Sequence, residues 1–583
     1  MPDFSNMAIA AAFDELGDLY ELDGAVVHRV LAYRNAARAI RDAPVSVAQL
    51  TREGKITTLP GVGKTIEEKT KALLDTGTIP AMEKLRAKFP AGLLELTRLP
   101  GLGPKRARML FDNLGIDSLQ SLRAAAEAQQ LRSIRGLGPR FEAQVIEAID
   151  AGLGERPAPR VLLPRALGLG EQLRDALRAH PAAVRVELGG GVRRLADSVK
   201  DLDVVAAAED PGALAGALAE MDVIDSASSA GPNAARGRTH NGMPVDLRVV
   251  EPDQFGNLWQ HFTGSAAHNV ALRELVTRRG LHVSEYGIFD DATGETLRYA
   301  TEEEVYERLG LAWIPPELRE GRGELQAAAD GTLPQRLIEA SDLRGDLHMH
   351  TTASDGRNSI EQMAIACRDQ RGLEYIAITD HSATHGFGNH VTPEQLRAQI
   401  EAVREVDARV DGIKVLIGTE TNILPDGSPD YGDDLLAELD WVMGSVHTSF
   451  GMSEAEMTAR MIAACEHPWI DCIGHPTGRK IEQRQPYALN VDRLVEAAAR
   501  TGTMIEINSA PDRRDLNDVH ARAARDAGVR ILVNSDAHGA NTLPNVRWGI
   551  ATARRAWLTR EDVANTLPWA EFAPLRKRAR AAA

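Results

Sequence analysis

Cysteine is scarce in this chain: 583 residues carry three, Cys367, Cys465 and Cys472, and none forms a CxxC pair. That scarcity excludes a disulfide framework and a cysteine-based zinc finger, so a transition metal here has to be held by histidine and carboxylate. Long apolar runs are missing as well. No stretch reaches the roughly 18 uncharged apolar residues of a membrane-spanning helix, and the N-terminus lacks a basic segment followed by an apolar one. The expectation is a soluble, cytoplasmic protein with no membrane partner. Net positive charge is also lacking, the formal charge being -16. Taken alone, this argues against a nucleic-acid partner, because Lys and Arg supply the phosphate neutralisation. The acidity is uneven: the first 150 residues hold 20 Lys and Arg against 19 Asp and Glu, the remainder 47 against 64. Several acids of the remainder fall in candidate metal clusters, where bound cations offset them. Charge therefore leaves the partner open, and the length calls for several domains.

Glycine punctuation is more telling. Leu59-Pro60-Gly61-Val62-Gly63, Leu99-Pro100-Gly101-Leu102-Gly103 and Ile134-Arg135-Gly136-Leu137-Gly138 are three copies of one short turn, each followed by a helix-compatible stretch. They read as helix-hairpin-helix units. Glycines let a backbone approach a strand closely, and the following helix offers unpaired N–H groups to a phosphate. Gly61, Gly63, Lys64, Gly101, Gly103, Lys105, Gly136 and Gly138 are the candidate DNA contacts, with Arg106 and Arg140 adding charge. A single copy reads better as a plain helical hairpin; three copies reverse that preference. Contacts of this kind hold the phosphate backbone without reading bases, so binding is expected to be independent of sequence.

In the central region Val184–Leu188 reads as a strand, Gly189–Arg194 as a phosphate-facing turn, and Leu202–Val205 as the next strand. Strand alternation puts Asp201 and Asp203 on one face, where one cation bridges them. Asp246, in a later apolar strand, supplies a third carboxylate. Such a set suits two-metal phosphoryl transfer.

The last 240 residues carry nine potential ligands: His348, His350, Asp355, His381, Glu420, His447, His475, Asp536 and His538. Most follow Ile/Val/Leu-rich runs typical of buried parallel strands, and the runs alternate with helical stretches. Ligands at the carboxyl ends of barrel strands converge on one mouth. A lone buried histidine is more often a hydrogen-bonded core residue, and His385, His390, His467 and His520 are read that way. Mixed imidazole and carboxylate donors suit manganese, zinc or iron better than magnesium.

These motifs carry resemblances. His28–Arg34 together with Leu59–Lys69 resembles the small N-terminal domain of the family X DNA polymerases, in which a lysine matched by Lys69 forms a Schiff base with an abasic-site sugar. Nearby positive charge or burial has to free such an amine; Lys71 is close, but Glu67 and Glu68 oppose it. The palm resembles the same family, whose motif is Gly-Ser-x-Arg-Arg followed by the aspartate pair; here Gly190-Gly191 stands at Gly-Ser. His261-Phe262-Thr263-Gly264-Ser265 and Asn269 resemble the family's Tyr-Phe-Thr-Gly-Ser segment. The resemblance makes Gly190, Gly191, Arg194, Gly264 and Asn269 nucleotide contacts, and the departures at Gly191 and His261 imply a slow polymerase. The C-terminal ligands resemble the polymerase-and-histidinol-phosphatase (PHP) domain, which implies a distorted seven-stranded β/α barrel holding up to three ions.

The expected organisation is a multidomain α and α/β chain. It runs from a helical domain at 1–95 and a fingers-like helical domain at 96–155 to a nucleotidyltransferase palm at 156–255. A thumb at 256–320, a linker at 321–342 and the PHP domain at 343–583 follow. The resemblance implies a DNA-repair polymerase with a 3′-5′ exonuclease, acting on gapped or primer-template DNA and deoxynucleoside triphosphates. Magnesium or manganese is implied for synthesis; manganese, zinc or iron is expected at the PHP site. Two other readings stay open: a polymerase-weak, structure-directed nuclease, and a small-molecule phosphatase, for which three hairpin turns have no use.

Overall fold

The computed structural model describes residues 4–581 apart from 98, 100, 135, 151–159 and 387. It divides into two compact units: the first holds 1–159, 169–187 and 200–251, the second 160–168, 188–199 and 252–583.

The first unit begins all-helical. Asn6–Leu22 buries Ile9, Phe13 and Leu16, spaced as one helical face, against Tyr33, Ala36, Ala37 and Ile40 of Val27–Asp42. One hydrophobic cluster then runs without a break from Ile9 to Val145, across the boundary expected near residue 95. The three glycine turns share one geometry. Gly61, Gly101 and Gly136 take φ of 78°, 77° and 91°, in the left-handed region that favours glycine. Val62, Leu102 and Leu137 drop from each turn into the core. Helices Lys64–Thr76, Pro104–Leu114 and Pro139–Asp150 start directly after Gly63, Gly103 and Gly138. Pro100 and Arg135 of these motifs lie outside the described residues.

The palm is a five-stranded mixed sheet in the order Ala183–Leu188, Leu202–Ala208, Pro244–Val250, Ala234–Thr239, Ile224–Gly231. Leu202–Ala208 and Pro244–Val250 run parallel, with Asp203 directly opposite Asp246.

In the second unit, helices Phe255–Thr263 and Ala266–Thr277, a three-stranded antiparallel sheet and helix Glu302–Arg308 close over Leu272, Val276, Tyr306 and Leu309. The stretch 321–342, expected as a linker, contains a helix, Glu324–Asp330, with Ala327 and Ala328 buried in that same cluster. Its Gly/Ala-rich composition packs because small side chains let the helix approach closely.

A seven-stranded parallel sheet follows in sequential order: Gly345–Asp346, Tyr375–Ile378, Lys414–Asn422, Trp441–Ser445, Cys472–Ile473, Met504–Asn508 and Ile531–Asn534. A parallel bridge between Met349 and Ala537 brings its first and last strands together, giving a nearly closed barrel. Alternation sorts the side chains. Tyr375, Ala377, Leu416, Trp441, Met443, Cys472, Met504 and Leu532 fill the interior, while Ile376, Ile378, Val415, Ile531 and Val533 face the surrounding helices. Further along the inward rows, apolar side chains give way to Glu420, four residues past Leu416, and to Glu506 and Asn534, two past Met504 and Leu532. Among the described residues no helix is long and apolar enough to cross a membrane.

Candidate metal centre and nucleotide site

All nine candidate ligands of the C-terminal part come together at the carboxyl-end mouth of the barrel. Ligand atoms within 4.8 Å of one another form four sets. These are His348 with Glu420 and His475; His381 with Glu420 and His447; His348 with His350 and Asp536; and His350 with Asp355, His381 and His538. Glu420 is the hub: its Oε1 lies 2.9 Å from His475 Nε2 and 3.3 Å from His447 Nε2, and its Oε2 2.8 Å from His381 Nδ1. His348 Nε2 faces Glu420 Oε1 at 3.4 Å and Asp536 Oδ1 at 3.5 Å, yet is buried outside hydrogen-bond geometry with any partner among the described residues. A nitrogen so placed, within a donor set of six imidazoles and three carboxylates, fits a divalent transition metal. Asp355 and His538, 28% and 36% exposed at the side chain, form the open rim; Asp536 is partly covered and the other six are buried.

The electrostatics are those of densely opposed charges. Against the burial that would raise it, His348, His447 and His381 hold the Glu420 carboxyl well below its ordinary range. Burial disfavours a charged ring at His348, but Glu506, Asp536 and Glu420 override it and push that imidazole well up. His475 goes the other way, to about 4, through burial and the Arg513 charge. His475 and Asp536 take positive φ of 28° and 52°, strain of about 1–3 kcal/mol each that the packed mouth has to hold.

Residue-type reasoning missed a supporting carboxylate. Glu506 Oε1 accepts from His348 Nδ1 at 2.8 Å and Asn534 Nδ2 at 3.0 Å. Its Oε2 accepts from the His475 backbone N–H at 2.9 Å and Asn508 Nδ2 at 3.2 Å. Holding Nδ1 as the donor leaves His348 Nε2 as the ligand nitrogen. The signal was a glutamate inside the apolar strand Met504-Ile505-Glu506-Ile507-Asn508. Asp380 is a second such residue: it accepts from Thr351 N, Thr351 Oγ1 and Ser354 Oγ at 2.7, 2.6 and 2.5 Å, fixing the loop that carries Asp355. His385, read as an ordinary core residue, donates from Nδ1 to Ser382 O at 2.9 Å and stacks on His381 with ring centroids 4.6 Å apart.

The palm carboxylates are arranged differently. Asp203 and Asp246 are neighbours by register, and Asp201 lies two residues before Asp203. The three do not form a set as tight as those in the barrel, because the Asp246 carboxylate is turned onto Arg248, with contacts of 2.8 and 3.1 Å. A carboxylate set of this kind fits magnesium or manganese once Asp246 leaves Arg248.

The residues expected to contact nucleotide lie in the second unit. Gly190 and Gly191 open the short helix Gly190–Arg193, Gly190 with φ 54°. A Cβ on Gly191 would stand 2.6 Å from Val199 Cγ1, so Val199 occupies the space that a serine there would need. Arg194 donates to Glu320 Oε1 at 2.9 Å and Thr263 O at 2.8 Å. Asn269 donates to His261 O at 2.8 Å, and Gly264 packs against its amide. Lys69 is half-buried on the helix after the first hairpin; the neighbouring Lys71 is engaged by Glu67 at 2.7 Å. Gly63, Gly103 and Gly138 have nothing within 4 Å of a Cβ position, and Lys64 and Lys105 are exposed beside them.

Family models match four stretches of the chain: a helix-hairpin-helix domain over 4–79, a SAM-like helix-hairpin-helix tandem over 93–151, a DNA polymerase beta thumb over 258–320 and a PHP domain over 346–510. The DNA polymerase/3′-5′ exonuclease PolX of Bacillus subtilis (strain 168) is 35% identical over 547 residues, 94% of each chain. The chain belongs to the bacterial family X DNA polymerases that carry a PHP domain. Other relatives match only a part of the chain. A probable phosphatase of Caldanaerobacter subterraneus subsp. tengcongensis is 34% identical over 33% of this chain and 75% of its own. One of Shewanella sediminis is 31% identical over 40% of this chain and 94% of its own.

Proposed function

We propose that this family X polymerase fills short gaps in damaged DNA by nucleotidyl transfer at Asp201, Asp203 and Asp246, and trims 3′ ends at the barrel mouth. The observation that supports the reading is that strand register pairs Asp203 with Asp246 in the first unit, while nine His, Asp and Glu side chains cluster at the barrel mouth in the second. The palm set would hold magnesium or manganese, and the barrel set up to three ions of manganese, zinc or iron. Cations so held activate an attacking oxygen and stabilise a leaving oxygen at phosphorus.

The chain's own groups do the rest. Glu506 orients His348, and Asp380 orients the loop of Asp355, so the mouth is built before a substrate arrives. The open rim at Asp355 and His538 admits a phosphate ester. The three hairpin turns leave room for a phosphate to reach the N–H groups of the following helices, with Lys64 and Lys105 alongside. Backbone contacts of that sort select DNA without selecting sequence.

A time course on a gapped duplex with a labelled primer, run with magnesium and then with manganese, tests the proposal: extension and 3′ shortening are both expected. Absence of extension would favour the second reading, a structure-directed nuclease with a weak palm. That reading draws support from Asp246 held by Arg248 and Arg194 held by Glu320. The phosphatase relatives are named as probable phosphatases and match 33% and 40% of the chain; hydrolysis of a small phosphate monoester without DNA cleavage would favour that alternative.

A further inference from the structure

The turn expected to bind nucleotide is grouped with the barrel, since residues 188–199 belong to the second unit. The helix Gly190–Arg193 ends at Arg194, and Leu195 follows with φ 56°, a left-handed conformation that a residue with a Cβ leaves unless held. A helix end exposes carbonyls without intrahelical partners. The three carbonyls just past this helix each meet an arginine of the barrel: Arg194 O accepts from Arg555 Nη1 at 2.8 Å, Leu195 O from Arg514 Nη2 at 2.9 Å, and Ala196 O from Arg514 Nη1 at 3.1 Å. The next two residues are held as well. Asp197 pairs with Arg479 Nη1 at 2.7 Å and lies 3.3 Å from Arg514 Nε, and Ser198 Oγ donates to Glu482 Oε1 at 2.9 Å.

Five successive residues are thus bound by four barrel side chains, none of them among the nine ligands. Arg514 is fully buried, and its Nε also donates to Thr552 Oγ1 at 2.8 Å. A guanidinium is costly to bury unless its donors are used, and two of its three nitrogens are spent on carbonyls of this turn. Arg555 bridges further, meeting at 2.7 Å the same Glu320 oxygen that binds Arg194.

We infer that the barrel acts as a template for the nucleotide-binding turn, with Arg514 and Arg555 as positioning residues for nucleotidyl transfer. The inference rests on reading Gly190–Arg194 as part of the polymerase site. Because the bonds go to main-chain oxygens, they set the conformation of the turn and touch no substrate themselves.

The test uses the full chain with Arg514→Ala, Arg514→Lys, Arg555→Ala and Glu482→Ala. The readouts are KM for a single deoxynucleoside triphosphate and kcat on a primed template, 3′ shortening of a labelled single strand with manganese, and the thermal melt. Arg514→Ala and Arg555→Ala should raise KM about tenfold, as expected for lost ground-state binding, with kcat and the nuclease within about twofold. Arg514→Lys should recover part of the loss, since an ammonium replaces the charge but not the two-carbonyl fork. Glu482→Ala, at a side chain 42% exposed, should fold normally and raise KM by about two- to threefold. Wild-type KM in the folded variants, or parallel loss of extension and nuclease, overturns the inference. If Arg514→Ala fails to fold, an unchanged KM in Glu482→Ala overturns it. Failure of the wild type to extend any primer removes the polymerase reading itself, a distinct result.

Discussion

Glu506→Gln is a one-atom change with a calculable outcome. Four donors converge on the carboxylate: His348 Nδ1 and Asn534 Nδ2 on one oxygen, the His475 N–H and Asn508 Nδ2 on the other. Glutamine keeps one acceptor oxygen and places an NH2 at the other position. Turned one way, that NH2 meets the His475 N–H and Asn508; turned the other, it meets Asn534 and His348. In the second case His348 can accept at Nδ1 only by carrying its proton on Nε2, the nitrogen that faces Glu420 and Asp536. The first arrangement loses two charge-assisted hydrogen bonds in a buried site, each worth about 1.5–3 kcal/mol; the second loses the Asn534 bond and changes the His348 tautomer. Replacing a carboxylate that orients a metal-ligating histidine lowers metal affinity or activity by roughly 10–100-fold, which corresponds to about 1.4–2.7 kcal/mol. The assay equilibrates wild type and variant at a series of buffered free manganese concentrations and measures bound metal and 3′ shortening on the same samples. The expected result is a metal-binding curve displaced to higher manganese, with nuclease activity returning as the site fills. Undisplaced binding would refute the role given to Glu506.

Three further outcomes follow from named contacts. His350→Ala or Asp536→Ala should abolish 3′ shortening and spare primer extension, and Asp203→Ala should do the reverse; equal loss of both activities in either case contradicts separate centres. Gly191→Ser should raise the KM for nucleotide, even though it restores the family's hydroxyl, because its Cβ would overlap Val199 Cγ1 at 2.6 Å and overpacking costs about 1–3 kcal/mol. Gly191→Ser with Val199→Ala should recover affinity, and a KM in the single variant below that of wild type sinks the steric account. Borohydride trapping on an abasic substrate should depend on Lys69; adducts that persist in Lys69→Ala remove it from the lyase role.

Legibility in the sequence tracked backbone periodicity. The barrel strands are short apolar runs, and eight of the nine candidate ligands sit near the end of one, so parallel pairing carries them to one mouth; Asp355 arrives on the loop that Asp380 fixes. Glu506 escaped because it belongs to the strand whose end holds no ligand; a charge buried within Met504–Asn508 was visible, but its purpose depends on His348, 158 positions away. The same holds for Asp380, which reads as part of Thr379-Asp380-His381 until Thr351 and Ser354 are seen to donate to it. Local composition misled at 321–342, where small residues usual in connectors form a helix that packs.

The palm half divides along the same line. Register puts Asp203 beside Asp246, a consequence of two apolar strands pairing in parallel, whereas Asp201 stands in the bend just before its strand begins at Leu202. Which cation each carboxylate meets is another matter, since Arg248 shares a strand face with Asp246 simply by being two residues away, and a bidentate arginine is a strong competitor for a carboxylate. Arg194 is drawn to Glu320 and Thr263, more than 60 residues downstream. Motif spacing records where such groups stand on the backbone. It carries no information on the distant side chains that engage them, and at both centres those distant partners, Glu506 in the barrel and Arg514 under the turn, are what hold the local pieces in working geometry.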